Sequence, residues 1–272
     1  GNTTSGFTTI SAGSVTVDQT APASQKTQGV VTTGGDNQVA GYWNSGNTGV
    51  DITVPIADDS SINGGTVQLL VSTDGGGSFV PLDTPSTISA VNTNKTISVA
   101  GGVLEGVAGF GESHVLRFKA TITDTSGNAT TGTVSDTTLT VDQTAATIST
   151  SSIASDNATV TLAKTGDTVT LTIATNENVS SPTVTFTSGG DAANNADTVS
   201  GSSPGTSFTS AYTINASDTD GTVAISVTAT DVAGNTTSGF TTISAGSVTV
   251  DTTAPTISTS SIASDNATVT LA

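Results

Sequence analysis

The string GNTTSGFTTISAGSVTVD occurs twice without a change, at 1–18 and again at 234–251. A diverged copy, GNATTGTVSDTTLTVD, occupies 127–142. The stretch that follows recurs as well: TTAPTISTSSIASDNATVTLA at 252–272 repeats 143–163 with changes only at Gln143 and Ala146. What recurs is therefore a closing strand, a linker and an opening strand. A chain that spells this junction repeatedly is a tandem array of one domain type. The repeat boundaries predict four pieces: 1–18 as the last strand of a preceding repeat, 19–142 and 143–251 as two complete domains, and 252–272 as the first strands of a following one. Because residue 1 falls inside a repeat, the chain is expected to be a segment of something longer, with its targeting information elsewhere.

The local pattern favours strands. Thr is about a fifth of the chain, and a β-branched side chain suits a pleated surface better than a helix. No stretch places apolar residues at helical spacing free of Gly and β-branched clusters. Alternation predicts strands at 49–57, 66–72, 95–99, 115–123 and 133–141 in the first domain. In the second it predicts 147–151, 158–163, 167–175, 182–187, 206–214, 222–230 and 240–250. Gly, Asp, Asn and Ser clusters between them supply turns. Many short strands at this spacing predict an all-β fold: tandem immunoglobulin-like antiparallel β-sandwich domains in a linear array. Tyr42 and Trp43, large side chains in a stretch poor in them, are expected to cap one end of the first core.

Composition excludes several functions. Five Lys and Arg face 22 acidic residues, a formal net charge of -17, so nucleic acid and anionic lipid are repelled. No segment reads as a signal peptide or a membrane span, so direct membrane insertion is not expected. The chain has no Cys, which removes disulfide staples, thiolate metal sites and Cys nucleophiles. His114 is the single His; a Ser-His-Asp triad would require this one imidazole, and its place after Gly111-Glu112-Ser113 reads as a solvated edge. Gly75-Gly76-Gly77 and Gly34-Gly35 lack the Lys-Ser/Thr and following helix of a phosphate loop. An enzyme is not expected.

Two resemblances carry information. The pairing of TDVAGN (230–235) or TDTSGN (123–128) with VTVDTTAPT (248–256) or LTVDQTAA (139–146) resembles the bacterial Ig-like repeats of large cell-surface adhesins, and it extends over essentially the whole chain. The resemblance implies extender modules, often stiffened by calcium, that hold a terminal ligand-binding region away from a prokaryotic cell. The first domain departs from it in length, and its linker carries Ala145-Ala146 where the others have Ala-Pro. Separately, Ser72-Thr-Asp74-Gly-Gly76-Gly-Ser78-Phe79 resembles the Asp-box of sialidase propellers, where the motif stabilises a hairpin; here it predicts a tight turn between Val71 and Val80.

In such a sandwich the loop after the second strand and the loop before the last both lie at the pole where the chain enters. That gathers Asp18, Asp58, Asp59, Asp124 and Asn128 in the first domain. In the second it gathers Asp142, Glu177, Asp231 and Asn235, while Asp218 and Asp220 fall beside Asp251 at the exit pole. Clustered carboxylates repel unless a cation lies between them, and Ca2+ takes six to eight oxygens from such groups. Two roles are open to them. Asp-x-x-Gly-Asn is also a good hairpin turn, the Asp accepting backbone N–H bonds. Asp218-Thr-Asp220-Gly221 echoes a calcium loop but lacks the remaining ligand spacing of an EF-hand.

The expected function is thus an extender segment of an extracellular surface adhesin, with neighbouring repeats of the same chain as partners and calcium at the junctions. One rival is a subunit of a self-assembling surface layer or fibre, with the partial strands at 1–18 or 252–272 pairing homotypically. Another is a carbohydrate-binding accessory module. That rival needs an exposed aromatic platform, for which one Trp, two Tyr and seven Phe, mostly at core-phase positions, give little material.

Overall fold

Apolar and polar residues alternate along the strand segments, and the computed structural model shows what the alternation builds. It describes residues 16–35, 37–194 and 198–263. The chain divides into two compact units, one of 1–145 together with 233–235, the other of 146–232 and 236–272.

In the first unit the strands are β1 (Val30–Thr33), β2 (Tyr42–Trp43), β3 (Gly49–Ile56), β4 (Thr66–Ser72), β5 (Val80–Thr87), β6 (Thr93–Ala100), β7 (Val115–Thr123), β8 (Ala129–Thr131) and β9 (Leu139–Val141), with a 3-10 turn at Ser60–Ile62 and the short helix α1 at Gly101–Glu105. They form two sheets, ordered β1-β3-β6 and β2-β9-β7-β4-β5, with β8 also on β7. The second unit holds β10 (Ile148–Ser155), β11 (Leu162–Ala163), β12 (Thr168–Val179), β13 (Thr183–Ser188), β14 (Asp191–Ala192), β15 (Thr198–Ser200), β16 (Gly205–Thr213), β17 (Gly221–Thr230), β18 (Thr236–Phe240) and β19 (Thr249–Val250). Its sheets run β10-β12-β16-β15 and β11-β19-β17-β13-β14, with β18 on β17. Lettered in chain order, these are the A-B-E-D and A′-G-F-C-C′ sheets of an immunoglobulin-type sandwich. The first unit repeats the plan without the D strand.

Each core is made by the inward half of the alternation. Along β7 the buried positions are Leu116, Phe118, Ala120 and Ile122; along β17 they are Val223, Ile225, Val227 and Ala229. Side chains from both sheets of a unit join one apolar cluster, and the two units have separate clusters. In the second, Phe186 of one sheet packs on Tyr212 of the other with ring centroids 4.7 Å apart, as two sheets packed face to face require.

Several expected elements differ. Trp43 does not cap the core from outside. It is wholly buried in it, edge-on to Phe110 at 6.4 Å, and its Nε1 donates to Glu105 Oε1. Of the strand expected over 133–141 only β9 forms; before it Ser135 turns inward and its Oγ donates to Thr137 O. Of that expected over 240–250 only Phe240, the end of β18, and β19 are in strands. Between them Gly246 has φ +80, and a Cβ there would stand 2.2 Å from Ile153 O. Only Leu162–Ala163 of the segment 158–163 is extended enough to pair. Of the expected terminal strands, residues 1–15 and 264–272 lie outside the described residues; 16–18 and 252–263 belong to no strand. Among the described residues no helix is long and apolar enough to cross a membrane.

Candidate metal-binding loops

At the entry pole of the first unit the structure brings together most of the expected group. Asp124 follows β7 and is buried. Its Oδ1 accepts from Ser126 N and Asn128 N at 2.8 and 2.9 Å, and its Oδ2 from Asn128 Nδ2 at 2.9 Å. Gly127, at φ +94, supplies the left-handed residue this turn needs. The Asn128 amide also donates to Asp18 O at 3.1 Å. Asp59 caps the 3-10 turn, accepting from Ser61 N and Oγ, and Thr125 N donates to Ser61 O, which ties the two loops together. Asp58 is exposed beside them. Burial pushes the Asp124 carboxyl up, but the Asn128 side chain and three backbone N–H donors outweigh it and hold it below the ordinary carboxylate range. Asp59 is held low chiefly by the Ser61 hydroxyl, against the like charge of Asp124.

Glu177 and Asp231 meet at one end of the second unit. Val179 and Asp231 form an antiparallel bridge, and Ser180 N donates to Thr230 O at 2.8 Å. Asp231 is buried and Glu177 half-buried. The chain enters at this same end, since Thr147 N donates to Asn176 Oδ1 at 2.6 Å and Thr237 Oγ1 donates to Ala146 O. Asp142 and Asn235 belong to the first unit, where Asn235 Nδ2 donates to Asp142 O at 2.9 Å. Asn235 Oδ1 there accepts from Ser45 N and Oγ.

At the exit pole of the second unit Asp218 and Asp220 turn to different partners. Asp218 is buried; Asn194 N and Nδ2 donate to its Oδ1, and Asn215 N to its Oδ2. Asp220 instead grips the outgoing linker. Its Oδ1 accepts from Thr252 N and Oγ1 at 2.6 and 2.8 Å, its Oδ2 from Thr253 Oγ1 at 2.8 Å, and the Thr252 N–H is the first reason its pKa is lowered. Asp251 is exposed and accepts from Thr253 N.

Sequence reasoning missed the counterpart of this grip in the first unit. Glu112 accepts from Gln143 N and Thr144 Oγ1, and Glu105 from Gln143 Nε2. Glu112 precedes β7 and Asp220 precedes β17, the corresponding strands of the two units, and each holds the two residues after the closing Asp. Two of only three Glu falling between β6 and β7 was the available signal. Elsewhere, the expected turn after Val71 is present: Asp74 accepts from Ser72 Oγ, Gly77 N, and Ser78 N and Oγ, so the motif closes the β4–β5 hairpin. His114 is exposed, its Nδ1 on Gly109 O.

No protein-family model and no curated protein matches the chain. Among solved structures, a tetra-tandem repeat in the extending region of a large adhesion protein is 18% identical, with 85% of this chain and 50% of that chain covered and a TM-score of 0.30. The FN1–FN3 domains of chicken CNTN1 are 11% identical over 86% of this chain and 69% of theirs, TM-score 0.28. A marsupial T cell receptor is 12% identical over 81% and 98%, TM-score 0.27. The chain thus spans half the length of the adhesion-protein structure, and its own immunoglobulin-type architecture rests on the strand order within each unit.

Proposed function

We propose that this chain is an extender segment of a large extracellular adhesin on a prokaryotic cell surface, in which calcium stiffens the junctions between repeats. One observation carries the proposal: two sandwiches of the same topology follow each other with only residues 142–147 between the last strand of one and the first strand of the next. A linker that short restricts the bend between domains, and the carboxylate grips at Glu112 and Asp220 shorten its free part further. The residues that would hold the cation are Asp142, Glu177, Asp231 and Asn235 at one junction, with Asp18, Asp58, Asp59, Asp124 and Asn128 at the preceding one and Asp218, Asp220 and Asp251 at the next. They fit a hard cation by chemistry, since the set offers oxygen and no sulfur or imidazole. Buried Asp231 beside half-buried Glu177 supports the first of these. The repeats serve as spacers, with neighbouring repeats as their partners.

Small-angle X-ray scattering with calcium and then with excess chelator tests this. The maximum dimension is expected to hold with calcium and to give way to a broad distribution of conformers without it, with Asp142→Asn reproducing the chelated profile. Identical profiles in both conditions would mean that the junction carboxylates act only as turn formers.

A further inference from the structure

Strands β7 and β17 hold the same place in their units, and both run into the Asp of the following turn, Thr123-Asp124 and Thr230-Asp231. Counted back from there, the side chains turned away from the core are Thr228, Ser226, Ala224 and Thr222 on β17. On β7 they are Thr121, Lys119, Arg117 and Val115. The neighbouring strands differ in the same way. Opposite Ser226 stands Thr185 of β13, whereas opposite Lys119 stands Leu70 of β4, with Pro81 of β5 beyond it. The second unit thus turns a sheet face of small hydroxyl and methyl groups to water, which is all a spacer needs. The first turns out cations set among apolar side chains. Of the five cations in the chain, Lys26 and Lys164 pair with Asp136 and Asp167; among the described residues Arg117 and Lys119 make no ion pair. Asp74 of the adjoining hairpin is taken up by Ser72, Gly77 and Ser78. Both cations are held in place. The Arg117 stem runs against Gly76, where a Cβ would stand 3.2 Å from Arg117 Cδ, and its Nε is enclosed without an acceptor. Lys119 Nζ lies 4.0 Å from the centre of the Phe79 ring.

We propose that this face of the first unit binds a carboxylate-bearing saccharide, with Arg117 and Lys119 on its carboxylates and Leu70, Phe79 and Pro81 against its C–H faces. A guanidinium matches a carboxylate with two parallel hydrogen bonds, and Lys119 adds a second positive charge about 7 Å along the strand. The net charge of -17 holds off densely charged polyanions and a second copy of the chain alike. At physiological salt that field is screened beyond about 8 Å, so a ligand with few carboxylates responds to the two cations beside it. An extended peptide would need partners for its own N–H and C=O groups. This face has none to give, because β7 and β4 each have a strand on both sides and β5 at the edge carries two Pro. Saccharide hydroxyls can stay in water while the C–H face is covered. Recognition through charge needs no aromatic platform.

Amide NMR spectra of the full chain test this with tri-galacturonate and with its methyl ester, which keeps the sugar and removes the charge. Tri-galacturonate is expected to shift the amides of Leu70, Phe79, Arg117 and Lys119, with half-saturation in the mM range, and to leave Thr222 to Thr228 unmoved. Binding should weaken in about 0.5 M salt, where the screening length falls to a few Å, and the ester should shift nothing. Arg117→Gln and Lys119→Gln are each expected to raise the half-saturation about tenfold, the loss of one charge-assisted hydrogen bond. An unmoved thermal transition of Trp43 fluorescence shows that the first unit of each variant is folded. The proposal is overturned if tri-galacturonate shifts none of these amides, if the ester binds as well as the acid, or if both Gln variants bind like the parent. An acidic peptide, Gly-Glu-Gly-Glu-Gly, that binds as tightly would overturn it in favour of a peptide partner. Shifts at the same amides that grow with chain concentration before any ligand is added would overturn it in favour of a second copy.

Discussion

Leu171→Ala should unfold one unit early and leave the other alone. Leu171 sits at the centre of β12 with no exposed surface, opposite Ile153 of β10 and Ser210 of β16. Truncation at a wholly buried Leu costs about 2–5 kcal/mol, the transfer of the lost carbons plus the cavity left behind. A sandwich of this size loses roughly 4 °C of melting temperature per kcal/mol, so the second unit should melt about 12 °C lower for a mid-range cost of about 3 kcal/mol. Leu171 belongs to the second core cluster, which shares no residue with the first. Trp43, the only Trp in the chain, is wholly buried in the first, so tryptophan fluorescence reports that unit by itself while far-ultraviolet circular dichroism reports both. The expected result is a split dichroism curve, one step displaced, over an unmoved fluorescence transition. A fluorescence midpoint that shifts along with the dichroism would refute the assignment of separate cores.

Acid should weaken the protein in a defined window. Asp167 is lowered to about 2, first by the Asn157 amide and then by Lys164, and Asp59, Asp74, Asp124 and Asp220 are also held below the ordinary range. The unfolded chain takes up protons near the ordinary carboxylate pKa of about 4. The stability these groups supply is therefore complete above that pH and is lost as pH falls through the lowered values; melting temperatures measured from pH 5 downwards should drop below about pH 4. Asp74→Ala removes the acceptor that closes the β4–β5 hairpin, and hydrogen exchange at Gly77 and Ser78 should lose its protection while β7 keeps its own. Asp220→Asn and Glu112→Gln weaken the grip on the linkers; faster amide motion by NMR relaxation is expected at Thr252 in the first variant and Gln143 in the second, with both cores intact.

Much of this architecture is legible in the amino-acid order, for a physical reason. β3, β4, β7, β12 and β17 are central strands with one face buried, so burial imposes strict alternation on them, and each was expected within a few residues. β2, β11 and β14 are two-residue edge pairings with too few positions to show a period. β5 carries two Pro and few buried side chains, so its pattern is a loop's although its pairing with β4 is a strand's. The polar loops divide the same way. Chain topology alone groups Asp124, Asn128, Asp59 and Asp18, because strand ends share a pole whatever the side chains do. Which N–H groups each carboxylate accepts depends on loop geometry, so the diverging partners of Asp218 and Asp220, and the part taken by Glu105 and Glu112, were not visible beforehand.

The parallel pairing of the opening and closing strands determines how a pulled repeat would yield. In the second unit Thr249 N and Asp251 N donate to Thr161 O and Ala163 O; in the first, Thr140 N and Asp142 N donate to Gly41 O and Trp43 O. Tension drawn in through the incoming linker and out through the outgoing one slides these strands along each other. The bonds of a patch then bear load together in shear, where an antiparallel hairpin would peel open one bond at a time. The mechanical strength of each repeat is thus set by a short parallel fastener at its flank, and a proline at Thr249 or Thr140, which removes one of its donors, should lower the rupture force of that repeat alone.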